Sequence, residues 1–564
     1  MLKIPYGIID YKTLQEDDYY YVDKTMYLEK LEDVGRVLTY LRPGRFGKTL
    51  FTSMLYYYYD VNSKNLFEAL FKNTYVYEHP TKNKNNYYIF KLDFSGMSTS
   101  NRNEKELEIE FKRKIADSIR KFNDDYKQNA DTDYLNNTPN GMILDFLSYF
   151  RSLDLGHKLY ILIDEYDNFT NAILEGNGER FKSIVGNEGI VKSFYATIKE
   201  YYGLGIIDRV FITGICPITL DSMTTGFNIA TDISRDIRFN SMIGLTHDEV
   251  RTLISNVKQG KQEEIFKLMV KNYDGYLFHY DANLRIFNAT LVMYFLKYYY
   301  DFNHIPDDLL DSNIAFNYGK IENLLKLQDN DYWLNILDII LKTGEITGNL
   351  KNKFNLEVDF DQDDIISLLY YFGYLTIGRL DEISKKNVFR IPNYVMSSLY
   401  NNYFLKLLND NHIKVDEREV DEAIREIILE GKIEKISNYI SEILKYHDNR
   451  MFMNFDEKYI QVLYYALLFK NTNYNIYSEY SCKNGGYIDL MILKNSNLCK
   501  YDIMIELKYI KKKEYSKKIL YKKKEEAIEQ VNCYSEDERF SKDTLKKYVV
   551  IFVGRDLKLV EEIF

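Results

Sequence analysis

Arg42-Pro43-Gly44-Arg45-Phe46-Gly47-Lys48-Thr49 separates a strand-like run, Arg36 to Leu41, from a run that begins like a helix, Leu50 to Leu55. The last three residues of the octet carry the parts that a phosphate-binding loop needs. A glycine lets backbone N–H groups approach a phosphate, a lysine reaches the β- and γ-phosphates, and a hydroxyl ligates Mg²⁺. Strand, loop and helix in that order aim a helix N-terminus at the anion. Arg42 stands where such a loop has its first glycine. From the octet alone, a nucleotide loop and an ordinary basic turn both remain open.

A loop of this kind works with an acid at the end of a buried strand, which holds Mg²⁺ and its water shell. Leu159 to Ile163 is continuously apolar and ends in Asp164-Glu165. Such runs suit a parallel strand buried on both faces. Asp164 is therefore expected to share Mg²⁺ with Thr49, and Glu165 to polarise the attacking water. Arg209 to Ile215 is a similar run, whose Thr213 either senses a γ-phosphate or caps the following turn. With Val37 to Leu41 and Tyr88 to Phe94, the pattern predicts four parallel strands. Helices over Glu104–Phe122 and Gly189–Tyr202 alternate with them, which predicts a three-layer α/β core over residues 1–244.

At 564 residues the chain exceeds one hydrophobic core, and its length suggests about three or four domains. Apolar residues at 46% and charged residues at 28% exclude a disordered chain. Tyr56 to Tyr59 reads as helix surface and core filler. No stretch is apolar for long enough to span a bilayer, and Met1-Leu2-Lys3-Ile4-Pro5 does not read as a signal peptide, so a cytoplasmic protein without a membrane partner is expected. Cys216, Cys482, Cys499 and Cys533 lack metal-ligand spacing and read as reduced thiols. The net charge of −10 argues against a surface coated for nucleic acid. Residues 471–564, however, hold 18 Lys and Arg against 15 Asp and Glu, a net of +3 that leaves −13 for the rest. Only the C-terminal end suits a polyanion.

Leu245-Thr246-His247-Asp248-Glu249 offers a threonine cap and an acidic first turn, opening a helical lid over 245–325. Tyr332–Leu341 and Gln362–Tyr371 read as helices, and Gly373–Ile377 and Asn387–Ile391 as a strand pair, which predicts a winged-helix-like domain over 326–410. Asp359, Asp361, Asp363 and Asp364 would repel phosphates there, so packing or a protein contact is expected. Val415 to Tyr446 is strongly helical within a linker over 411–455. In the last domain, 456–564, Tyr487–Ile492 and Tyr501–Lys508 are strand-like. In a hairpin, Asp489 and Glu506 converge on one divalent cation, with Lys508 on the same face as Glu506. Carboxylates hold Mg²⁺ or Mn²⁺, which polarises a phosphodiester, and a lysine beside them positions water or offsets developing charge. Glu-x-Lys alone is also the ordinary alternation of an exposed strand. Gly485-Gly486, Glu479 and the one-face pair Gln530 and Tyr534 strengthen the metal reading. Lys511, Lys512, Lys513, Lys517, Lys518, Lys522, Lys523 and Lys524 lie between strand and helix, as a solvated loop or a phosphate contact.

From end to end the chain resembles the bacterial AAA-ATPase-like family whose members carry a C-terminal PD-(D/E)XK nuclease-like domain. The resemblance rests on Ile4-Pro5-Tyr6-Gly7, Tyr21-Val22-Asp23-Lys24-Thr25, the Arg-Pro-headed octet and Ile163-Asp164-Glu165-Tyr166-Asp167. It continues through Thr213-Gly214-Ile215, Tyr273-Asp274-Gly275-Tyr276, Phe372-Gly373-Tyr374-Leu375 and Ile391-Pro392-Asn393. It implies an ATP site formed by Arg42, Pro43, Gly44, Arg45, Phe46, Gly47, Lys48 and Thr49 with Asp164 and Thr213. In such proteins Arg-Pro is the usual head of the loop. Arg235 and Arg238 read as solvated surface before arginine fingers. Gln530-x-x-x-Tyr534 resembles the RecB-like branch of these nucleases, where the glutamine organises the active site. The resemblance thus implies an ATPase with Glu165 catalytic, and a metal-dependent nuclease built on Asp489, Glu506, Lys508 and Gln530. ATP and Mg²⁺ (or Mn²⁺ at the nuclease site) are its cofactors, and nucleic acid, DNA before RNA, is its partner. A homo-oligomer and a role in defence against foreign DNA are compatible with it. The competing reading is a signalling or scaffold NTPase whose last domain binds nucleic acid without cutting it, and ATP serving only as a structural clamp is a third.

Overall fold

The computed structural model describes residues 3–97, 104–168, 190–217, 229–257, 260–306, 308–310, 331–354, 360–410, 415–446, 456–469, 473–483, 485–541 and 543–564. The chain divides into two compact units. One comprises Met1–Trp333 and Glu345–Val395, the other Leu334–Gly344 and Met396–Phe564. The segment 326–410 is therefore shared between them.

The first unit is built on five parallel strands: β1 Val37–Leu41, β2 Tyr87–Asp93, β3 Lys158–Asp164, β4 Ile207–Gly214 and β5 Thr231–Asp232, in the order β2-β3-β4-β1-β5. Four of these match the expected set. The fifth is two residues long, Thr231-Asp232 beside Leu38-Thr39, too short to leave a pattern in sequence. All of β1 and nearly all of β3 and β4 are buried, because helices cover both faces. The connection from β1 to β2 crosses to the far edge, whereas β2, β3 and β4 step back toward β1. Right-handed crossovers running in opposite directions place their helices on opposite faces. Helix Lys48–Tyr59 therefore forms one layer, against β2 and β3, and helices Glu104–Tyr126 and Ile190–Gly203 form the other, against β2 and β4. Within the first of these helices Tyr58 and Tyr59 are fully buried, as core filler should be.

Helices His247–Val257, Gln262–Tyr273 and Ala289–Phe302 follow. The Thr246 hydroxyl accepts from the Glu249 N–H while the Glu249 carboxylate accepts from the Thr246 N–H, so the expected threonine cap is reciprocated by Glu249. Residues 311–325 of the expected lid lie outside the described residues, as does Asp359. A three-stranded antiparallel sheet, β6 Glu345–Gly348, β7 Thr376–Leu380 and β8 Asn387–Arg390 in the order β6-β8-β7, includes the expected strand pair, its first strand beginning at Thr376 instead of Gly373, and one further strand. Asp361 and Asp364 cap helix Gln362–Tyr371 reciprocally and share Lys351.

In the second unit, β9 Tyr474–Ser481, β10 Tyr487–Lys494, β11 Asp502–Ile510, β12 Leu545–Val553 and β13 Asp556–Ile563 form a mixed sheet ordered β13-β12-β11-β10-β9. Only β11 and β12 are parallel, and helix Lys517–Tyr534 makes the crossover between them and packs on both. Its Ala527 and Val531 enter a core with Met491, Met504, Val549 and Ile551. Helix Glu457–Leu468 packs against β9, β10 and β11, and helix Glu434–Tyr446 against β13. Val415 to Tyr446 forms two helices, Glu417–Glu430 and Glu434–Tyr446, broken at Gly431. Lys517, Lys518, Lys522, Lys523 and Lys524 belong to the crossover helix rather than to a loop before it, because Ser516 caps that helix early by accepting from the Ile519 N–H.

Candidate functional site

In the first unit the octet curls around the start of helix Lys48–Tyr59. Gly47 adopts φ +108°, which a side chain would resist. Lys48 is buried, and its Nζ donates to the carbonyls of Arg42 (2.8 Å) and Pro43 (2.9 Å). A cleft of about 570 Å³ opens here, lined by Gly44, Arg45, Lys48, Thr49 and Glu165, with the N-terminal segment Pro5 to Ile9 on its rim. Asp164, at the end of β3, is 1% exposed, and neither carboxylate oxygen has a hydrogen-bond partner among the described residues. Burial lifts its carboxyl to about 6, opposed by Lys91 and by the nearby Thr49 hydroxyl. Two unpartnered oxygens beside a hydroxyl fit hydrated Mg²⁺, which would satisfy them and remove the penalty of a bare buried carboxylate. Glu165 follows at φ +50° and turns into the cleft; burial raises its carboxyl, and Lys48 opposes that rise.

Arg42 and Thr213 are placed differently from a phosphate contact. The Arg42 guanidinium is buried, donates to the carbonyls of Leu41, Ser234 and Phe239, and lies between the rings of Tyr40 (4.2 Å) and Phe278 (3.8 Å). Toward Lys48, Arg42 offers its carbonyl and not its side chain. The Thr213 hydroxyl donates to the Tyr40 carbonyl and so ties β4 to β1. Pro43 abuts Gly373, where an added Cβ would stand 2.8 Å from the proline ring. Phe46 is buried edge-on to Tyr276 and Phe278. Arg238 pairs with Asp236 at the surface. Asp167 takes a role not foreseen from the sequence: fully buried, it accepts from the N–H groups of Ile215 and Cys216 and fixes the chain leaving β4. Gly214 makes this possible, since a Cβ there would stand 2.3 Å from the Asp167 carboxylate.

In the second unit the register brings the acids together. Leu490 faces Ile505 across β10 and β11, so Asp489 falls opposite Glu506 one step on, both on one face. The Asp489 carboxylate accepts from the Leu507 N–H (2.7 Å), and Lys508 donates to Glu506 Oε1 (2.8 Å). Glu506 is 2% exposed and its Oε2 has no partner among the described residues. Burial, reinforced by Asp489, lifts the Glu506 carboxyl to about 7. Burial likewise raises the Asp489 carboxyl. Burial works against the Lys508 ammonium, but Glu506, Glu457 and Asp489 together raise it. Glu479 falls opposite Asp489 on β9 and pairs with Lys458. Gln530 lies near enough to the Tyr534 hydroxyl to influence it, and the Tyr534 ring covers Gly486, whose added Cβ would meet it at 2.8 Å.

Helix Glu457–Leu468 brings residues to this face that sequence reasoning passed over. Glu457 accepts from the Tyr509 N–H (3.1 Å) and acts electrostatically on Lys508 and Asp489, and Gln461 donates to the Asp489 carbonyl. Among the described residues no three acidic, histidine or cysteine side chains form a ready-made metal cage. Mg²⁺ does not require one, since it is commonly held by one or two carboxylates, waters and the substrate's own phosphate. Asp489 and the unpartnered oxygen of Glu506 fit that donor set.

A parallel sheet with a lysine-bearing phosphate loop and a buried acidic strand, and a mixed sheet presenting Asp and Glu-x-Lys, define an ATPase-like unit and a nuclease-like unit. Residues 5–224 match the family model described as a predicted AAA-ATPase, and residues 455–562 match that of the PD-(D/E)XK nuclease superfamily. The chain joins an AAA-ATPase-like domain to a C-terminal PD-(D/E)XK nuclease-like domain. It is also 24% identical, over 412 residues, to a protein of Azotobacter chroococcum mcd 1 described as an uncharacterized protein in the vnfD 5′ region; the match covers 72% of this chain and 70% of that one. Among the described residues, no helix is long and apolar enough to cross a membrane.

Proposed function

We propose that this protein is an ATP-binding and ATP-hydrolysing regulator coupled to a metal-dependent phosphodiesterase that cuts nucleic acid, DNA first. The observation that carries the nuclease half is the partnerless buried oxygen of Glu506, facing Asp489 across two strands with Lys508 beside it. Bound Mg²⁺ or Mn²⁺ would supply Lewis-acid polarisation of the scissile phosphate and a water of lowered pKa. Asp489 and Glu506 would hold it. Lys508, its ammonium kept charged by the surrounding carboxylates, would position water or offset charge on the phosphate oxygens. Gln530 and Tyr534 would orient that phosphate from the crossover helix. In the ATPase half, Lys48 and the loop amides would bind the phosphates, Thr49 and Asp164 would hold Mg²⁺, and Glu165 would orient the attacking water. A role in excluding foreign DNA suits an ATP-controlled nuclease.

Full-length protein incubated with DNA and RNA substrates and Mn²⁺ or Mg²⁺, with and without ATP, tests this reading. Asp489→Ala with Glu506→Ala is expected to lower cleavage by at least about 100-fold, through loss of the metal. Undiminished cleavage by that variant would remove the assignment.

A further inference from the structure

We infer that the segment from Lys511 to Tyr521 is a grip for single-stranded nucleic acid beside the scissile bond, an inference that rests on the nuclease reading. Lys511 to Lys518 holds five lysines and one glutamate. Lys511, Lys512, Lys513, Lys517 and Lys518 are all exposed, and none has an acidic partner among the described residues. The next turn of the helix behaves differently: Lys522 and Lys523 pair with Glu526, and Lys524 with Glu561. Within the run Lys511 to Lys524, the lysines without an acidic partner are therefore those at and just before the start of the crossover helix. Aromatic surface is interleaved with them, for Tyr521 is 66% exposed and Tyr515 42%, beside Ile519 at 37%.

The position of this patch matches a substrate path. Lys511 lies three residues beyond Lys508 along the chain that leaves β11, about 10 Å in an extended backbone. Helix Lys517–Tyr534 carries the lysines at its start and Gln530 and Tyr534 near its end. From Lys517 to Gln530 is about 20 Å at 1.5 Å per residue, roughly six stacked nucleotides at 3.4 Å each. One helix thus joins the grip to the candidate site. Lysines that follow a backbone, with exposed rings on which bases stack, are the equipment for a single strand; a duplex keeps its bases stacked on each other and gains only from the charge.

Fluorescence anisotropy of the full-length protein, without divalent cation, distinguishes these cases using labelled oligothymidine and a blunt duplex of equal length across a salt series. Replacing Lys511, Lys512, Lys513, Lys517 and Lys518 by Gln together is expected to reduce the log–log salt slope on oligothymidine by about 3 to 4, while the five-arginine counterpart keeps it. Tyr521→Ala, which leaves every charge in place, is expected to weaken oligothymidine binding about 5- to 100-fold and to leave duplex binding unchanged. An unaltered slope in the five-glutamine variant, an unaltered affinity in Tyr521→Ala, or tighter binding to phosphatidylserine vesicles than to oligothymidine would overturn the inference. Cleavage assays run in parallel separate it from the nuclease reading. Normal cleavage with unaltered binding removes the grip alone, whereas the expected binding losses in a protein that never cuts uphold the grip and remove the nuclease.

Discussion

Arg42 occupies the loop position at which glycine would be expected, and its side chain runs backward into the fold instead of forward to a phosphate. Its planar guanidinium serves three carbonyl acceptors between two aromatic faces. A lysine has one ammonium and no plane with which to do the same. Arg42→Met would strand the Ser234 carbonyl, at about 1–3 kcal/mol for an unsatisfied group, whereas the Phe239 carbonyl keeps the Tyr40 hydroxyl and the Met242 N–H. A loss of roughly 1–3 kcal/mol in the unfolding free energy of the first unit is therefore expected by urea denaturation. Stability equal to the parent would show that the guanidinium holds nothing in place. Asp167 illustrates the same point on a smaller scale: it stands in a motif read for its acids, yet its carboxylate is consumed by two backbone N–H groups.

Helix Gln262–Tyr273 carries Lys271 half-buried against the ring of Tyr394, and burial pushes its ammonium down to about 8. A lysine whose folded pKa is depressed penalises the folded state while it stays charged, below that value, and the penalty fades as pH rises from about 8 to the ordinary 10.5. Lys271→Met should accordingly stabilise the first unit at pH 7, with the advantage shrinking steadily through this interval. Thermal unfolding measured at several pH values checks it, and a pH-independent difference would exclude the titration. Elements of this kind show what sequence conveys. β1, β3 and β4 were legible because continuous apolar runs have one good solution, a buried parallel strand. Asp489, Glu506 and Lys508 were legible because neighbouring strands of period two put them on one face. Glu457 was not, since nothing local distinguishes a helix-start glutamate that meets Tyr509 from one that meets water. The lysine-rich start of the crossover helix was equally opaque, because its residues have no apolar period and only Ser516 marks where the helix begins.

At the scale of the whole molecule, each unit carries its own candidate site, and the proposed ligand of each can be read by the stability it confers. ATP with Mg²⁺ at about 100 times its dissociation constant should stabilise the first unit by about 2.7 kcal/mol. Lys48→Ala should abolish that upward shift in melting temperature, whereas Asp489→Ala should preserve it. A full shift in the Lys48 variant would remove the lysine from nucleotide binding. The resting state of Lys48 has a further consequence. Its ammonium already lies on two carbonyls of its own loop, so an arriving anion must outbid a chelate instead of filling a vacancy. A single compact oxyanion offers the lysine little more than those carbonyls do. A chain of phosphates engages lysine, amides and hydroxyl together, and so crosses the threshold by reach. On the proposed nucleotide-binding reading, a polyphosphate is expected to displace those carbonyls where a single oxyanion does not, so inorganic sulfate in the same melting series should leave the first unit where it was.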